Sequence, residues 1–389
     1  MCVRPHSGKS AGGLGLCVHA TSTQDEFPPN VRADAASPAS GISGCQRGVL
    51  LPDSVTLHND SASLIQSSNP RSLRADQLRY PRKNTALEEI LAVAAMLVLF
   101  SAGMLLPFIL SGCLLATTLC RSIPAMLFLA ATALDCCLPA GKMWPAFRNC
   151  FVMDVLRRHY RVRIVTPPHP FMDVTRHHLC VQFPHSVFPL SCFLNPALVG
   201  APDSGMPGPM EGVVASILLQ IPFIKHIFGW IGAHPADART IRQLLKRTSI
   251  GMQPEGIAGV FHGARPDREA VYLKQRKGFV KVAIQAGTDI MPVYHLGDSQ
   301  LFHFWGLNAL SRKLRASLGF VWGRWGLPLP MQHDLISAIS HPIKVKQCDH
   351  PAPEEVDRVH ALVVAAVVRL YEDHKHLMPG WDSRPLHII

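Results

Sequence analysis

Three observations predict an α/β fold, a mostly parallel sheet covered by helices, with an N-terminal hydrophobic membrane anchor. From about residue 145 onward, short apolar runs ending in turn residues alternate with stretches of helical period, the signature of a covered parallel sheet. Ahead of them, Ile90 to Cys120 holds 31 residues without one charge. A bilayer core needs only ~20 apolar residues as a helix. And only 17% of the 389 residues are charged while 48% are hydrophobic, against ~25% charged in an ordinary soluble domain.

Residues 1–85 are rich in Ser, Gly, Pro, Asn and Asp, with little hydrophobic period, and read as a disordered tail. The first 24 residues lack acids, a faint transit-peptide flavour, but no arginine-rich amphipathic period accompanies it. Asn59 heads a glycosylation sequon of the kind that arises by chance. Residues 86–140 read as a membrane-embedded hairpin or anchor. Only Arg121 and Asp135 interrupt the stretch from 90 to 140, and Pro107 predicts a kink. Basic residues on both flanks, Arg79, Arg82 and Lys83 before and Lys142, Arg148, Arg157 and Arg158 after, favour both ends in the cytosol. Two passes, or one span plus a shallow re-entrant piece, both fit.

Residues 141–389 read as the catalytic domain. Strands are predicted over 177–183, 248–254 and 288–297, and helices over 237–247 and 276–287, the latter closed by Gly287. The stretch 353–375 predicts an amphipathic helix with acids at its start, His374 and Lys375 at its end, and Val356, Val359, Val363, Val367 and Leu370 on its buried face. The eleven cysteines form no CxxC pair, so neither a disulfide framework nor a zinc site is expected, and no HExxH spacing offers another metal site. The net charge of +11 suits anionic lipid headgroups or a phosphate-bearing substrate. No zinc-finger spacing or basic run interleaved with aromatics points to nucleic acid.

Three elements carry chemistry. "FPHSVFP" (183–189) places His185 after a buried strand, between Pro184 and Ser186, where an α/β sheet puts its sites. A histidine accepts a proton near neutral pH without large tuning, and Ser186 is placed to cap a following helix. "MQPEGIAGVF" (252–261) runs a strand into Pro254, Glu255 and Gly256, where Gly256 and Gly259 permit close backbone approach and free amides. "YLKQRKGFVKVAIQAG" (272–287) gathers Lys274, Arg276, Lys277 and Lys281 at the start of an apolar helix, an arrangement that suits an anion. Taken singly, His185 also reads as a core histidine and Lys274 as a solvated face. Together, beside a hydrophobic anchor, they point to acyl transfer from a phosphorylated carrier to a lipid hydroxyl.

These residues resemble the diacylglycerol acyltransferase type 2 family, which also holds monoacylglycerol and wax-alcohol acyltransferases. "FPHSVFP" is similar to the "EPHSVLP" of its plant and algal branch, and "PEGIAG" (254–259) to its "PGGxxE" turn. "RKGFVKVAIQAGTDIMPVYHLG" (276–297), "GRWGLPLP" (323–330, with Arg324), the tail at 340–360 and "WPAFRN" (144–149) follow in family order over 144–376. The resemblance implies a glycerolipid-acyltransferase-like fold and a direct transfer. His185 would take the proton of the diacylglycerol hydroxyl, amides near Gly256 would hold the oxyanion, and Arg276, Lys277 and Lys281 would face the CoA phosphates, with Gly278 keeping that backbone open. Acyl-CoA, diacylglycerol and membrane lipids are the partners it implies, with a homo-oligomer left open and no cofactor beyond the acyl-CoA substrate. The location it implies is the endoplasmic-reticulum membrane and lipid droplets; a plastid is not ruled out by the tail.

Two departures stand out. Phe183 replaces the acidic residue of the plant motif, so the base role rests on His185 alone. The glutamate of "PGGxxE" falls on Gly259, while Glu255 stands where a glycine is usual. A monoacylglycerol or long-chain alcohol acceptor, or a catalytically weak lipid-binding paralogue, are the alternatives. "GDSQL" (297–301) is a lipase-like decoy, with no GxSxG elbow to support it. The histidine-to-aspartate spacing of phospholipid acyltransferases fails too, because Pro189 stands four residues after His185.

Overall fold

The computed structural model describes residues 83–168, 171–195, 210–263, 267–306 and 319–389. All belong to one compact unit, Asn69–Ile389. The tail reading, with its transit-peptide flavour and Asn59 sequon, lies outside the described residues but for 83–85.

The strands are β1 (Arg163–Val165), β2 (Leu179–Phe183), β3 (Glu211–Val214), β4 (Ala233–Pro235), β5 (Ile250–Met252), β6 (Glu269–Val271), β7 (Ile290–Leu296), β8 (His303–Gly306), β9 (Gly319–Trp322), β10 (Ile336–Ile339) and β11 (Leu386–Ile388). Helices are α1 (Ala86–Cys120), α2 (Ile123–Cys137), α3 (Pro145–Arg148), α4 (Phe151–His159), α5 (Leu190–Leu194), α6 (Ile224–Trp230), α7 (Ala238–Leu245), α8 (Ile257–Gly263), α9 (Gly278–Ala286) and α10 (Pro353–His374). A seven-stranded sheet runs β1-β10-β7-β2-β5-β3-β4, parallel throughout except where β10 meets β7. This is the mixed α/β, mostly parallel architecture the alternation predicted.

The pleat of β2 sorts its residues. Leu179, Val181 and Phe183 join the core beneath α7, α9 and α10, with Val356, Val359, Val363, Val367 and Leu370 buried as the helical period requires. Cys180 belongs to a smaller cluster with Met291, Val293 and Ile339. Every residue of β2 and β7 is buried, which explains their near-continuous apolar sequence. Asp237 caps α7 through the Thr240 amide, and Gly287 closes α9 at φ 63°.

The apolar run divides close to the kink that Pro107 predicted, but its two legs lie in different surroundings. α1 opens on a capping box between Thr85 and Glu88 and bends by 64° between its legs Ala86–Ser101 and Leu105–Cys120. Pro107 lies one turn past the break, where it lacks the N–H that would bond the carbonyl of residue 103. One face of the first leg packs into the domain core. Ala92 and Met96 pack with Leu156, Leu190, Leu194 and Leu301. Arg158 and His159 pair with Glu88 at 3.0 Å and Glu89 at 2.6 Å. Beyond the bend, Phe108, Leu114, Leu115, Leu119, Ile123 and Leu127 are exposed. α2 turns back through Arg121 in the left-handed region (φ 50°). Asp135 near its end meets Lys225 at 3.5 Å and His226 at 2.7 Å on α6. The one acid inside the apolar stretch is a clamp on the domain. Among the described residues, no single helix is long and apolar enough to cross a membrane.

Candidate active site

β2 ends at Phe183, and a cis bond leads into Pro184. His185 follows, and Ser186 takes a left-handed backbone (φ 51°) that few non-glycine residues adopt. Ser186 caps no helix: α5 starts at Leu190 after Pro189, and the Ser186 hydroxyl instead donates to the Phe188 carbonyl at 3.3 Å. The Ser186 carbonyl lies 3.0 Å from Nδ1 of His185. A carbonyl only accepts, so Nδ1 carries the proton and Nε2 presents its lone pair. Burial pulls the His185 pKa below the ordinary histidine value, against the opposing pull of the Ser186 carbonyl. The ring is therefore neutral at pH 7, and it is ready to accept a proton.

Glu255 holds this turn from beneath. It is fully buried. One carboxylate oxygen accepts the His185 backbone amide at 2.5 Å, and the other accepts the Tyr272 amide at 2.8 Å. Burial pushes its pKa up to about 7, opposed by those two amides and by the charge of Arg276. Glu255 thus touches the main chain of His185, not its ring. The glycines beside it do different jobs. Gly256 sits at φ 58°, with open space where a Cβ would stand. A Cβ on Gly259 would lie 2.6 Å from the His185 Cβ and 2.8 Å from that of Glu255. Pro254, Glu255 and Gly256 form the turn itself, and α8 begins at Ile257.

Tyr272 carries the arrangement on to the cationic segment. The Arg276 guanidinium lies over the Tyr272 ring, 5.2 Å from its centroid, and its Nε is buried without a hydrogen-bond partner. The helix predicted from 276 begins at Gly278, with Lys277 as an N-cap whose side chain makes no capping bond. Gly278 has open space around it. Lys277 pairs with Asp357 at 2.7 Å, and Lys281 is exposed. The fold therefore joins His185, Glu255, Tyr272 and Arg276 in one chain of contacts. Arg324 lies apart: it stacks on Trp325 at 4.4 Å, and its charge bears on His159 and Tyr160.

Tyr272 and the left-handed Ser186 escaped sequence reasoning, whereas the close approach expected at Gly259 is present, with His185 as the neighbour. No local signal marks a partner 17 or 70 residues away. Among the described residues no cluster of His, Cys, Asp and Glu is placed to hold a metal ion. The "GDSQL" decoy is structural: Ser299 donates to buried Glu269 at 2.8 Å, and Asp298 accepts from Ser191.

The sequence model of the diacylglycerol acyltransferase family matches residues 115–386, and the chain belongs to this family. Diacylglycerol O-acyltransferase 2 of Xenopus tropicalis is 26% identical over 68% of this chain and 79% of its own length. The Mus musculus protein of the same name is 26% identical over 60% of this chain and 63% of its own. The Homo sapiens 2-acylglycerol O-acyltransferase 3 is 27% identical over 60% of this chain and 74% of its own. Among solved structures, the 1-acyl-sn-glycerophosphate acyltransferase PlsC of Thermotoga maritima aligns with a TM-score of 0.37 and 14% identity, over 73% of this chain and 96% of that one.

Proposed function

We propose that this chain is an acyl-CoA-dependent diacylglycerol O-acyltransferase with His185 as its base. The observation that carries the reading is the ring state of His185: Nδ1 committed to the Ser186 carbonyl, Nε2 open, and a depressed pKa, at the end of a buried strand in a chain of this family. Nε2 accepts the proton of the free diacylglycerol hydroxyl as its oxygen attacks the thioester carbonyl. The tetrahedral intermediate collapses with loss of CoA thiolate, which takes up the proton from His185, leaving triacylglycerol. Backbone amides at the turn around Gly256 face the oxyanion; one such donor is worth ~3 kcal/mol elsewhere. Arg276 and Lys281 receive the CoA phosphates, and Lys277 exchanges its exposed pairing with Asp357, worth under about 1 kcal/mol, for a phosphate. The chemistry needs no cofactor beyond acyl-CoA.

The glycerolipid-acyltransferase-like fold, the endoplasmic-reticulum membrane and the lipid droplet belong to the same reading. It places Leu105–Cys120 and α2 in the bilayer. α2 has 15 residues, a rise of ~22 Å, against ~30 Å of hydrocarbon. Both ends of the hairpin are clamped to one domain by Glu88, Glu89 and Asp135. A shallow re-entrant hairpin that enters and leaves on the cytosolic side fits these lengths better than two passes.

The test is labelled acyl-CoA incorporation in microsomes of a yeast lacking its own triacylglycerol synthesis. The protein and His185→Ala are offered diacylglycerol, monoacylglycerol and a long-chain alcohol in turn. Triacylglycerol made by the first and not by the second is the expected result. No turnover with any acceptor refutes the enzyme reading in favour of a lipid-binding paralogue. Equal turnover by the variant refutes the base.

A further inference from the structure

Among the described residues, nothing covers the outer face of the β8–β9 pair. Antiparallel pairing sets Phe304 opposite Val321, Trp305 opposite Phe320 and His303 opposite Trp322. The first pair points inward. Phe304 meets Phe261 of α8 with centroids 5.2 Å apart, and Val321 packs against the cluster that holds Ala92 and Met96. The other two pairs point outward. Trp305 and Phe320 stack at 5.5 Å and are 61% and 58% exposed. The following turn adds Trp325, 68% exposed, and Leu327. Three of the six tryptophans thus lie in 21 residues, Trp305 to Trp325, all on the surface.

We propose that this aromatic face is a second membrane contact, seated in a phospholipid surface and holding the domain against the lipid. Three observations choose lipid as the occupant. The hairpin grows from the same packing as the apolar helix: Phe100, the end of the buried leg, meets Phe302 at 5.0 Å just before β8, and Phe188 of the His185 loop at 4.8 Å. Indole rings, apolar in body with one N–H, collect at the headgroup level. And among the described residues from Ser299 to His333 the one formal charge is the cation of Arg324, which suits anionic headgroups. Arg324 lies along the Trp325 ring with its guanidinium as the polar tip. The inner face rests on α8, whose Gly259 abuts His185, so only the β8–β9 strands and this helix separate the outer face from His185.

The proposal rests on the lipid acceptor proposed above, and its test does not. The full chain is reconstituted in phosphatidylcholine and phosphatidylserine vesicles, with and without bromine on the acyl chains. Emission of Trp305→Ser/Trp322→Ser/Trp325→Ser is subtracted from that of the wild type, which isolates the three indoles. Bromine is expected to quench that difference about twofold. An unchanged difference overturns the proposal, whether water or a second protein covers the face. If the triple variant does not reconstitute, single Trp325→Phe and Trp305→Phe differences are read in the same way. In activity assays, the triple variant is expected to raise the KM for bilayer diacylglycerol about fivefold. The KM for acyl-CoA and the turnover of a short-chain acceptor dispersed in detergent should not change. A wild type inert toward diacylglycerol would remove the proposed function, and the quenching would still decide the membrane contact.

Discussion

His295 lies in β7, and His185 lies two residues past the end of β2. These strands pair in parallel, with Phe183 opposite Tyr294. The two histidines lie at or just beyond the ends of paired strands and are opposite in state. At His295 both nitrogens are spent. Nε2 donates to the Gln182 side-chain oxygen at 2.8 Å, and Nδ1 accepts from the Ser337 hydroxyl at 2.8 Å. Burial drives its pKa to about 3. At His185 one nitrogen is spent on a carbonyl, and the other stays open. Both rings are enclosed by the fold, yet only His185 keeps a nitrogen without a partner. What separates them is how many partners the surroundings supply: two fix a strut, one fixes a tautomer and leaves a lone pair for substrate.

Four substitutions sharpen that contrast. The largest effect is expected of His185→Ala, which removes the lone pair. Turnover should fall by about 10²–10⁴-fold, with little change in the thermal midpoint of the detergent-extracted protein. Wild-type kcat/KM should rise with pH and level off, its limb lying below 6.5 because the working form is neutral and burial lowers the His185 pKa. A limb above 7.5 would contradict the assigned ring state.

Next comes Gly259→Ala. Its methyl would enter at 2.6 Å from the His185 Cβ, and two Cβ atoms cannot yield as a flexible chain end can. Turnover is expected to fall about 10–100-fold, at a stability cost of about 1–3 kcal/mol. The split between the two is read from kcat per folded molecule.

Glu255→Gln leaves one acceptor where two amides need one each. A drop of about tenfold in kcat is expected, with about 1–3 kcal/mol of destabilisation. The pH dependence separates charge from shape. Burial raises the folded pKa of Glu255 from 4.5 to about 7. The folded state therefore keeps a proton that the unfolded chain has already released, and this contribution to stability is full below 4.5 and gone once the pH has passed about 7. The margin of the wild type over the Gln variant should shrink across that window and stay constant above it. A margin that grew with pH would place Glu255 among ordinary ionised carboxylates.

His295→Ala should do the reverse of His185→Ala. It takes the acceptor from the Ser337 hydroxyl and leaves Gln182 Oε1 with only the Cys192 thiol, in a buried layer, and about 1–3 kcal/mol of stability should be lost. Turnover per folded molecule should change by less than about threefold. A loss of turnover as large as that of His185→Ala would erase the distinction between strut and base.

The elements were legible because each has a local cause. Valines at helical spacing bury one face of α10 whatever lies beneath, and Asp237 caps α7 through an amide three residues on. Chain-distant pairing has no such cause. Nothing near Asp135 says that it meets Lys225 and His226, or that Glu88 meets Arg158. So all of 86–140 read as a membrane-embedded hairpin or anchor, although one face of its first leg packs into the domain core. Pro107 announced the bend, and only the packing on either side gave the two legs different surroundings.

By itself, the sequence determined the alternation of strands and helices, three strands and three helices of the domain, the long apolar run and the histidine that follows a buried strand. Hydrophobic period, turn chemistry and charge act over a few residues and need no third dimension. The tertiary structure decided which titratable groups work. It brought the carboxylate of Glu255 under an amide 70 residues away and left Gly259 just enough room beside His185. It also turned Ser186 so that its carbonyl holds Nδ1. Protonation state follows from burial and from the partners that burial permits, and both arise only when distant segments close on one another.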